Sequence, residues 1–268
     1  MSTMDNYFVR LKEMEEFTMS KILITGATGT IGKELTKHLI KRHQLILVDV
    51  DFSEFPEELK QEAQIIETDL VDRENWRGLL EDIEYVIQLA GEPDQNAEFY
   101  GDLEELNFEI PHNLFDEALE AEHLKRILFA SSVHAVNGYP DDIQVKTTDP
   151  VRPSGLYGVS KVYIEALAAH HAYVNDIPSI GIRIANYTID NEELDSEVDE
   201  AGMAMYFSAR DMNHLVDCCL EAELNEPYLL VNGLSNNTFK RLSIEEAQNK
   251  LDYQPKDNAF EIAGYFKN

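Results

Sequence analysis

The sequence predicts an α/β protein built on a doubly wound parallel sheet, on three observations. From Lys21 onward, short β-rich apolar runs alternate with longer segments whose apolar residues fall three and four apart, as in stacked βαβ units. The first run ends in Thr25-Gly26-Ala27-Thr28-Gly29-Thr30-Ile31-Gly32, a turn with a glycine at every third position, opening a helix. The 268 residues, 44% hydrophobic and 27% charged, have the length and balance of one globular body.

Taken in order, strands are expected at Ile22–Thr25, Leu45–Asp49, Gln64–Glu67, Tyr85–Leu89, Arg126–Ala130 and Ile180–Ile184. Helices with an apolar stripe are expected between them at Ile31–Lys41, Asp72–Leu80, Leu103–Glu120 and Tyr157–Val174. Right-handed crossovers bring the carboxyl ends of all strands to one edge of the sheet, where open α/β sheets bind ligands. Residues 21–185 form the main domain. Residues 186–268 are expected to add a small C-terminal lobe, interleaved with it and binding the substrate, with helices at Ser208–Glu221 and Ser243–Lys250 and a strand at Tyr228–Val231 between them. The acidic segment Asp190–Gly202 reads as a lid over the site or as a solvated connection, and residues 1–20 as an N-terminal extension.

With 51 acidic against 22 basic side chains, the formal charge of -29 repels phosphate backbones and anionic lipid, so neither nucleic acid nor a membrane is an expected partner. Such a surface is either simply well solvated or adapted to high salt. Cys218 and Cys219 are adjacent in an expected helix, where they cannot bridge each other and offer no metal spacing; a reducing cytoplasm fits. No stretch approaches the roughly 20 apolar residues of a membrane span. No His/Cys/carboxylate cluster stands near the sites below, so no metal is expected.

The glycine turn is suited to a dinucleotide. Gly26 allows the tight turn, Gly29 lets a pyrophosphate approach the backbone, and Gly32 lets helix pack close to strand. Thr28, Thr30 and Ile31 then lie against the phosphates, at a helix N-terminus that favours anions. This is the Rossmann arrangement, and Asp49 closes the second strand where a carboxylate accepts both ribose hydroxyls and repels a 2′-phosphate, favouring NAD over NADP. Asp51 is the alternative in a register shifted by two. Asp69, with Leu70 beside it, faces the adenine or caps the helix from Asp72; Leu89, Ala90 and Gly91 end the fourth strand with room for the cofactor.

Tyr157-Gly158-Val159-Ser160-Lys161 places Tyr and Lys one helical turn apart on one face. An ammonium beside a phenol, with a positively charged nicotinamide, favours the phenolate, and a phenolate can take a hydroxyl proton as hydride leaves. Lys161 also holds the nicotinamide ribose. Upstream, Ala130-Ser131-Ser132 follows a strand and reaches the same sheet edge; Ser132 is the residue expected to hold the substrate oxygen, with Ser131 satisfying backbone groups.

With these residues in this order, the sequence resembles the extended short-chain dehydrogenase/reductases, the NAD-dependent epimerase/dehydratase family. TGATGTIG, DLVD, LAG, LNFEIPHNL with Asn107, FASS and YGVSK carry the resemblance over residues 20–185. It implies NAD as cofactor, Ser132, Tyr157 and Lys161 as the catalytic residues, Asn107 as a support for the active-site strand, and a homo-oligomer formed through the helix that begins at Tyr157. Within the family, FASSVHAVNGYP, VRPSGLYGVSK, IGIRIANY, AMYFSARDM and YQPKDNA are similar to uronate dehydrogenases, which oxidise a sugar acid at C1 to the lactone.

Arg183, in GIRIAN, has the planar fork that holds a carboxylate, so it is expected to bind a sugar acid, with an internal ion pair as the alternative. His134 either donates to the sugar or packs structurally. Two departures favour a neutral aldose instead: Val133 stands where the resemblance leads one to expect Asn, and the loop after Gly91 is long and acidic, with Glu92 and Asp94 near the substrate. A nucleotide-sugar epimerase or dehydratase with tightly bound NAD shares the N-terminal half but needs a larger lobe after Arg183. A redox-sensing Rossmann protein would not be expected to retain both Tyr157 and Lys161.

Overall fold

The computed structural model describes residues 19–189, 194 and 198–265. The strands are β1 (Lys21–Thr25), β2 (Gln44–Asp49), β3 (Gln64–Glu67), β4 (Tyr85–Gln88), β5 (Arg126–Ser132), β6 (Ser179–Ile184), β7 (Asn186–Thr188), β8 (Tyr206–Ser208) and β9 (Tyr228–Gly233). Seven of them form one parallel sheet in the order β3-β2-β1-β4-β5-β6-β9, and β7 and β8 make a separate parallel pair. The strand order reverses between β1 and β4, leaving a crevice at their carboxyl ends.

Alternation along the strands explains the two cores. Ile22 and Ile24 of β1 face a layer formed by α1 (Thr30–Leu39), α6 (Ala209–Glu221) and α7 (Glu245–Leu251), burying Leu35, Leu39, Leu215 and Leu251. Leu23 points the other way, toward α3 (Ile110–Ala118) and α4 (Leu156–Asn175), with Leu114, Phe115, Ile164 and Ala168. A sheet covered on both faces needs apolar residues at consecutive positions, which is what the strand sequences supply. Shorter helices α2 (Glu57–Glu62) and α8 (Ala259–Ile262), like the β7–β8 pair, were not expected from the sequence, whereas α5 (Glu200–Met203) falls at the end of the acidic segment, where a loop or short helix is expected.

Three expectations are corrected. The strand at Tyr228, expected within the small interleaved C-terminal lobe, belongs to the main sheet: β9 pairs with β6 as its last strand, Ile180 opposite Leu229 and Ile182 opposite Val231. The segment is apolar enough to be buried there, and α6, capped by Ser208, packs on the first face. What stands apart from the sheet is a small cluster of Met203, Tyr206, Ala259 and Phe260. The helix expected at Asp72–Leu80 is only a 3-10 turn, Arg73–Trp76, because Trp76 is buried with its Nε1 donating to the Leu70 carbonyl at 2.8 Å and Gly78 takes a positive φ of 72°. The helix expected at Leu103–Glu120 is divided, with wide π-type turns over Phe99–Glu109, broken at Tyr100 and Gly101, running into α3.

Residues 1–18 of the expected N-terminal extension, and residues 190–193 and 195–197 of the expected lid, lie outside the described residues. Among the described residues no helix is long and apolar enough to cross a membrane.

Candidate active site

The crevice at the strand reversal is a cavity of about 620 Å³. Every residue expected to hold the dinucleotide lines it: Gly26, Thr28 to Gly32, Asp49, Asp69, Leu70, Leu89, Ala90, Gly91, Tyr157 and Lys161. Gly26 has a φ of +66°, and a Cβ there would lie 2.7 Å from the Ala90 nitrogen. A Cβ on Gly32 would meet the Gly26 carbonyl at 2.4 Å, so both positions admit only glycine without a backbone shift. Helix α1 begins at Thr30 without a side-chain cap, leaving its first N–H groups for a ligand. Asp49 is held in place by Thr28, whose N–H and hydroxyl donate to Oδ2 at 2.9 and 2.8 Å, and by the Val50 N–H at 2.8 Å.

Of the alternatives, Asp51 turns away to accept from Ser53. Asp69 does not cap the following turn; that is done by Asp72, and Asp69 accepts from the Val71 N–H at 2.9 Å while lining the cavity. This combination of glycine cradle, uncapped helix start and carboxylate fits a dinucleotide by shape and charge.

At the other end of the cavity β5 delivers Ser132 and α4 delivers Tyr157 and Lys161. Ser132 lies close enough to the Tyr157 phenol to act on its pKa, the Lys161 Nζ lies 5.3 Å from the centre of the Tyr157 ring, and His134 meets that ring edge-on at 5.5 Å. Burial pushes the Tyr157 phenol above its ordinary value, with Ser132 pulling it down and the Glu92 carboxylate pushing it further up. Burial also pushes the Lys161 ammonium down to about 8, against the pull of Glu92. The expected lowering at Tyr157 is therefore not found: desolvation outweighs the pull of Ser132, and Glu92 adds to the rise.

Asn107, in the wide-turned segment, ties this region together. Its Oδ1 accepts from the Glu92 N–H at 2.8 Å, and its Nδ2 donates to the Glu92 carbonyl at 3.1 Å and to the Ser160 hydroxyl of α4 at 3.0 Å. The loop after β4 and helix α4 are thus held by one side chain.

Arg183 departs from expectation. It is 1% exposed, lines no part of the cavity, and forms a bidentate pair with the buried Glu165 carboxylate. Strand alternation explains this: Ile184, its neighbour, lines the cavity, and Arg183 points to the opposite face, where α4 supplies Glu165. Ser131 is also corrected, since its hydroxyl donates to Glu165 Oε1 at 2.6 Å and does not satisfy backbone groups.

His134 lines the cavity, its Nδ1 3.2 Å from the Ser154 hydroxyl, and burial lowers its pKa. An adjoining cavity of about 400 Å³ shares Pro93, Val133, His134 and Asn186 with the first and adds Asp94, Gln95, Asn137 and Met205. Asn137, Asn186, Gln95 and Met205 went unnoticed in the sequence; the only signal was their nearness to Ser132, Arg183, Glu92 and the AMYFSARDM segment.

Fold, glycine cradle and Ser–Tyr–Lys grouping define a dinucleotide-dependent enzyme, and the chain matches the NAD dependent epimerase/dehydratase family over residues 22–193; it belongs to that family. It is 32% identical over 256 residues to the NAD-dependent glucose-6-phosphate dehydrogenase of Haloferax volcanii, covering 90% of this chain and 95% of that protein. It is 27% identical to the L-arabinose 1-dehydrogenase (NAD(P)(+)) of the same organism, covering 90% and 98%. Among solved structures, the uronate dehydrogenase of Agrobacterium tumefaciens superimposes with a TM-score of 0.80 at 25% identity, covering 92% of this chain and 88% of that one.

Proposed function

We propose that this chain is an NAD-dependent dehydrogenase that oxidises the C1 hydroxyl of a cyclic sugar or sugar acid to the lactone. The carrying observation is that Ser132, Tyr157 and Lys161 share one cavity with the glycine cradle and Asp49. The names of the three relatives agree on one reaction type, dehydrogenation, of a sugar phosphate, a sugar and a sugar acid respectively.

NAD bound along the cradle supplies the acceptor for the hydride that leaves C1. The protein's own groups handle the proton. Ser132 holds the anomeric oxygen, and the Tyr157 phenolate takes its proton as the C1–O bond becomes a carbonyl. Lys161, one turn further along α4, stabilises that phenolate by its charge and holds the ribose hydroxyls. His134 and the amides of Asn137 and Asn186 meet the remaining sugar hydroxyls. Holding these groups in place before the substrate arrives supplies much of the rate.

A second copy of the chain is the protein partner this reading adds, packed through α4 as the family resemblance implies. Cys218 and Cys219, both free thiols, suit the reducing cytoplasm as its location.

The test is NADH absorbance with purified protein, NAD and a panel of sugars and sugar acids, alongside Tyr157→Phe. The variant is expected to bind NAD and turn over nothing. Turnover retained by Tyr157→Phe would remove the tyrosine from the reaction, and tightly bound NAD with no net reduction by any sugar would favour an epimerase.

A further inference from the structure

We infer that the sugar oxidised here is an uncharged aldose, and that Glu92 is the residue that turns anionic sugars away. This rests on the C1-oxidation reading above and narrows its substrate class.

A carboxylate or phosphate group brought into a half-buried cavity loses water and needs a cation in return. Among the described residues that line the two adjoining cavities, Lys161 is the sole lysine or arginine, and it sits against the Tyr157 ring at the reacting end. Arg183, the guanidinium the sequence offered for this purpose, is committed to Glu165. His134 adds no charge at neutral pH, because burial lowers its pKa further from an ordinary value already below 7.

Carboxylates, by contrast, are present and anchored. The Glu92 backbone is clamped on both sides by Asn107, at 2.8 and 3.1 Å. Its Oε1 accepts from the Asp94 N–H at 2.8 Å, which fixes the side chain, and its charge acts on both Tyr157 and Lys161. A charge felt at both catalytic groups is felt by any anion held between them, and it repels that anion. Asp94 lines the adjoining cavity and adds to the same field. Sugar hydroxyls are met differently: each can donate to a carboxylate, and the amides of Gln95, Asn137 and Asn186 supply donors and acceptors for the rest. The site is therefore built for hydroxyls and against charge.

The experiment compares kcat/KM for D-glucose, D-galactose, L-arabinose and D-xylose with that for D-glucuronate, D-galacturonate and glucose 6-phosphate, in wild type and Glu92→Gln. The best neutral aldose is expected to exceed every anion by about tenfold or more in the wild type. The margin is expected to shrink in Glu92→Gln and, for the wild type, as salt is raised. Binding of the same sugars to the NADH-loaded protein, followed by calorimetry, is expected to give the same ranking without turnover. A wild type that prefers a uronate or a sugar phosphate overturns the inference and leaves the dehydrogenase standing. A neutral preference unchanged in Glu92→Gln overturns the role of Glu92. No reduction with any sugar overturns the C1-oxidation reading, and this inference with it.

Discussion

Arg183 and Glu165 face each other as a fork on a fork, Nε to Oε1 at 2.8 Å and Nη2 to Oε2 at 2.7 Å, with 1% and 6% of their surfaces exposed. Ser131 donates to the same carboxylate, so β5, β6 and α4 meet at one buried group. Glu165 lies one turn beyond Lys161, and Ser131 precedes Ser132, so the pair holds the elements that carry Ser132, Tyr157 and Lys161. Removing one partner strands a charge in the interior, which costs about 3–5 kcal/mol. Glu165→Ala and Arg183→Ala are each expected to lose stability of that order in urea denaturation. Arg183→Lys, which keeps the charge and loses the fork, is expected to lower stability while KM for the sugar stays within about twofold. A large rise in KM with stability intact would return Arg183 to the substrate.

The pH dependence of stability reports on Lys161. Its folded pKa, about 8, lies below its ordinary value of 10.5, so between the two the unfolded chain holds more protons than the folded one. Stability then rises with pH across that interval, as the penalty for burying the ammonium is relieved. Tyr157 acts in the opposite sense, since its raised phenol keeps its proton above pH 10 in the folded state and stability falls there. Cys218, pushed up to about 11 from 9.0, gives a fall beginning near pH 9. Comparing the wild type with Lys161→Met isolates the first effect: between pH 8 and 10 the wild type is expected to gain on the variant. A difference flat over that range would mean that the ammonium remains solvated.

Much of the sheet was legible because each strand had to be apolar on both faces, and such runs stand out between glycine turns and helical stripes. The cavity end of the site was legible for the same reason, since the motifs fall at strand ends and a parallel sheet gathers strand ends at one edge. Arg183 was misread because its sequence position gave the right edge but not the face; one residue along a strand reverses the side chain, and Ile184 has the cavity. The failed helix at Asp72–Leu80 had the right spacing, but that spacing could not show that Trp76 reaches back to Leu70. Asn137, Asn186 and Met205 come from three separate segments, and nothing local marks that they meet.

Asp49 is the residue whose replacement tests the choice of dinucleotide. Its Oδ2 takes two hydrogen bonds from Thr28 and its Oδ1 one from Val50, which hold the side chain at the end of β2 facing the cavity. A 2′-phosphate placed there meets a like charge, whereas ribose hydroxyls donate to it. Asp49→Ser is expected to lower the ratio of kcat/KM for NAD to that for NADP by about tenfold or more, mainly by weakening NAD. The Thr28 N–H then loses its acceptor, so a modest loss of stability should accompany the change. An unchanged ratio would assign the discrimination elsewhere, with Asp49 then serving only to hold the glycine turn.

The charge of -29 makes salt a direct probe of what the surface does. Two electrostatic effects compete as salt is added. Exposed ion pairs such as Lys37–Glu34 and Arg77–Glu74 weaken, but each is worth under about 1 kcal/mol. Repulsion among 51 acidic side chains, only partly offset by 22 basic ones, weakens as well, and this favours the folded state because the folded chain holds the charges closer together. Screening over about 10 Å at 0.1 M salt shortens to about 3 Å at 1 M, which removes most of the repulsion between neighbouring surface carboxylates. The melting temperature is therefore expected to rise by several degrees between low and molar sodium chloride, and to rise equally in potassium chloride if screening is the cause. A gain seen only with sulfate would point to exclusion of salt from the surface, and a fall would mean that the ion pairs outweigh the repulsion.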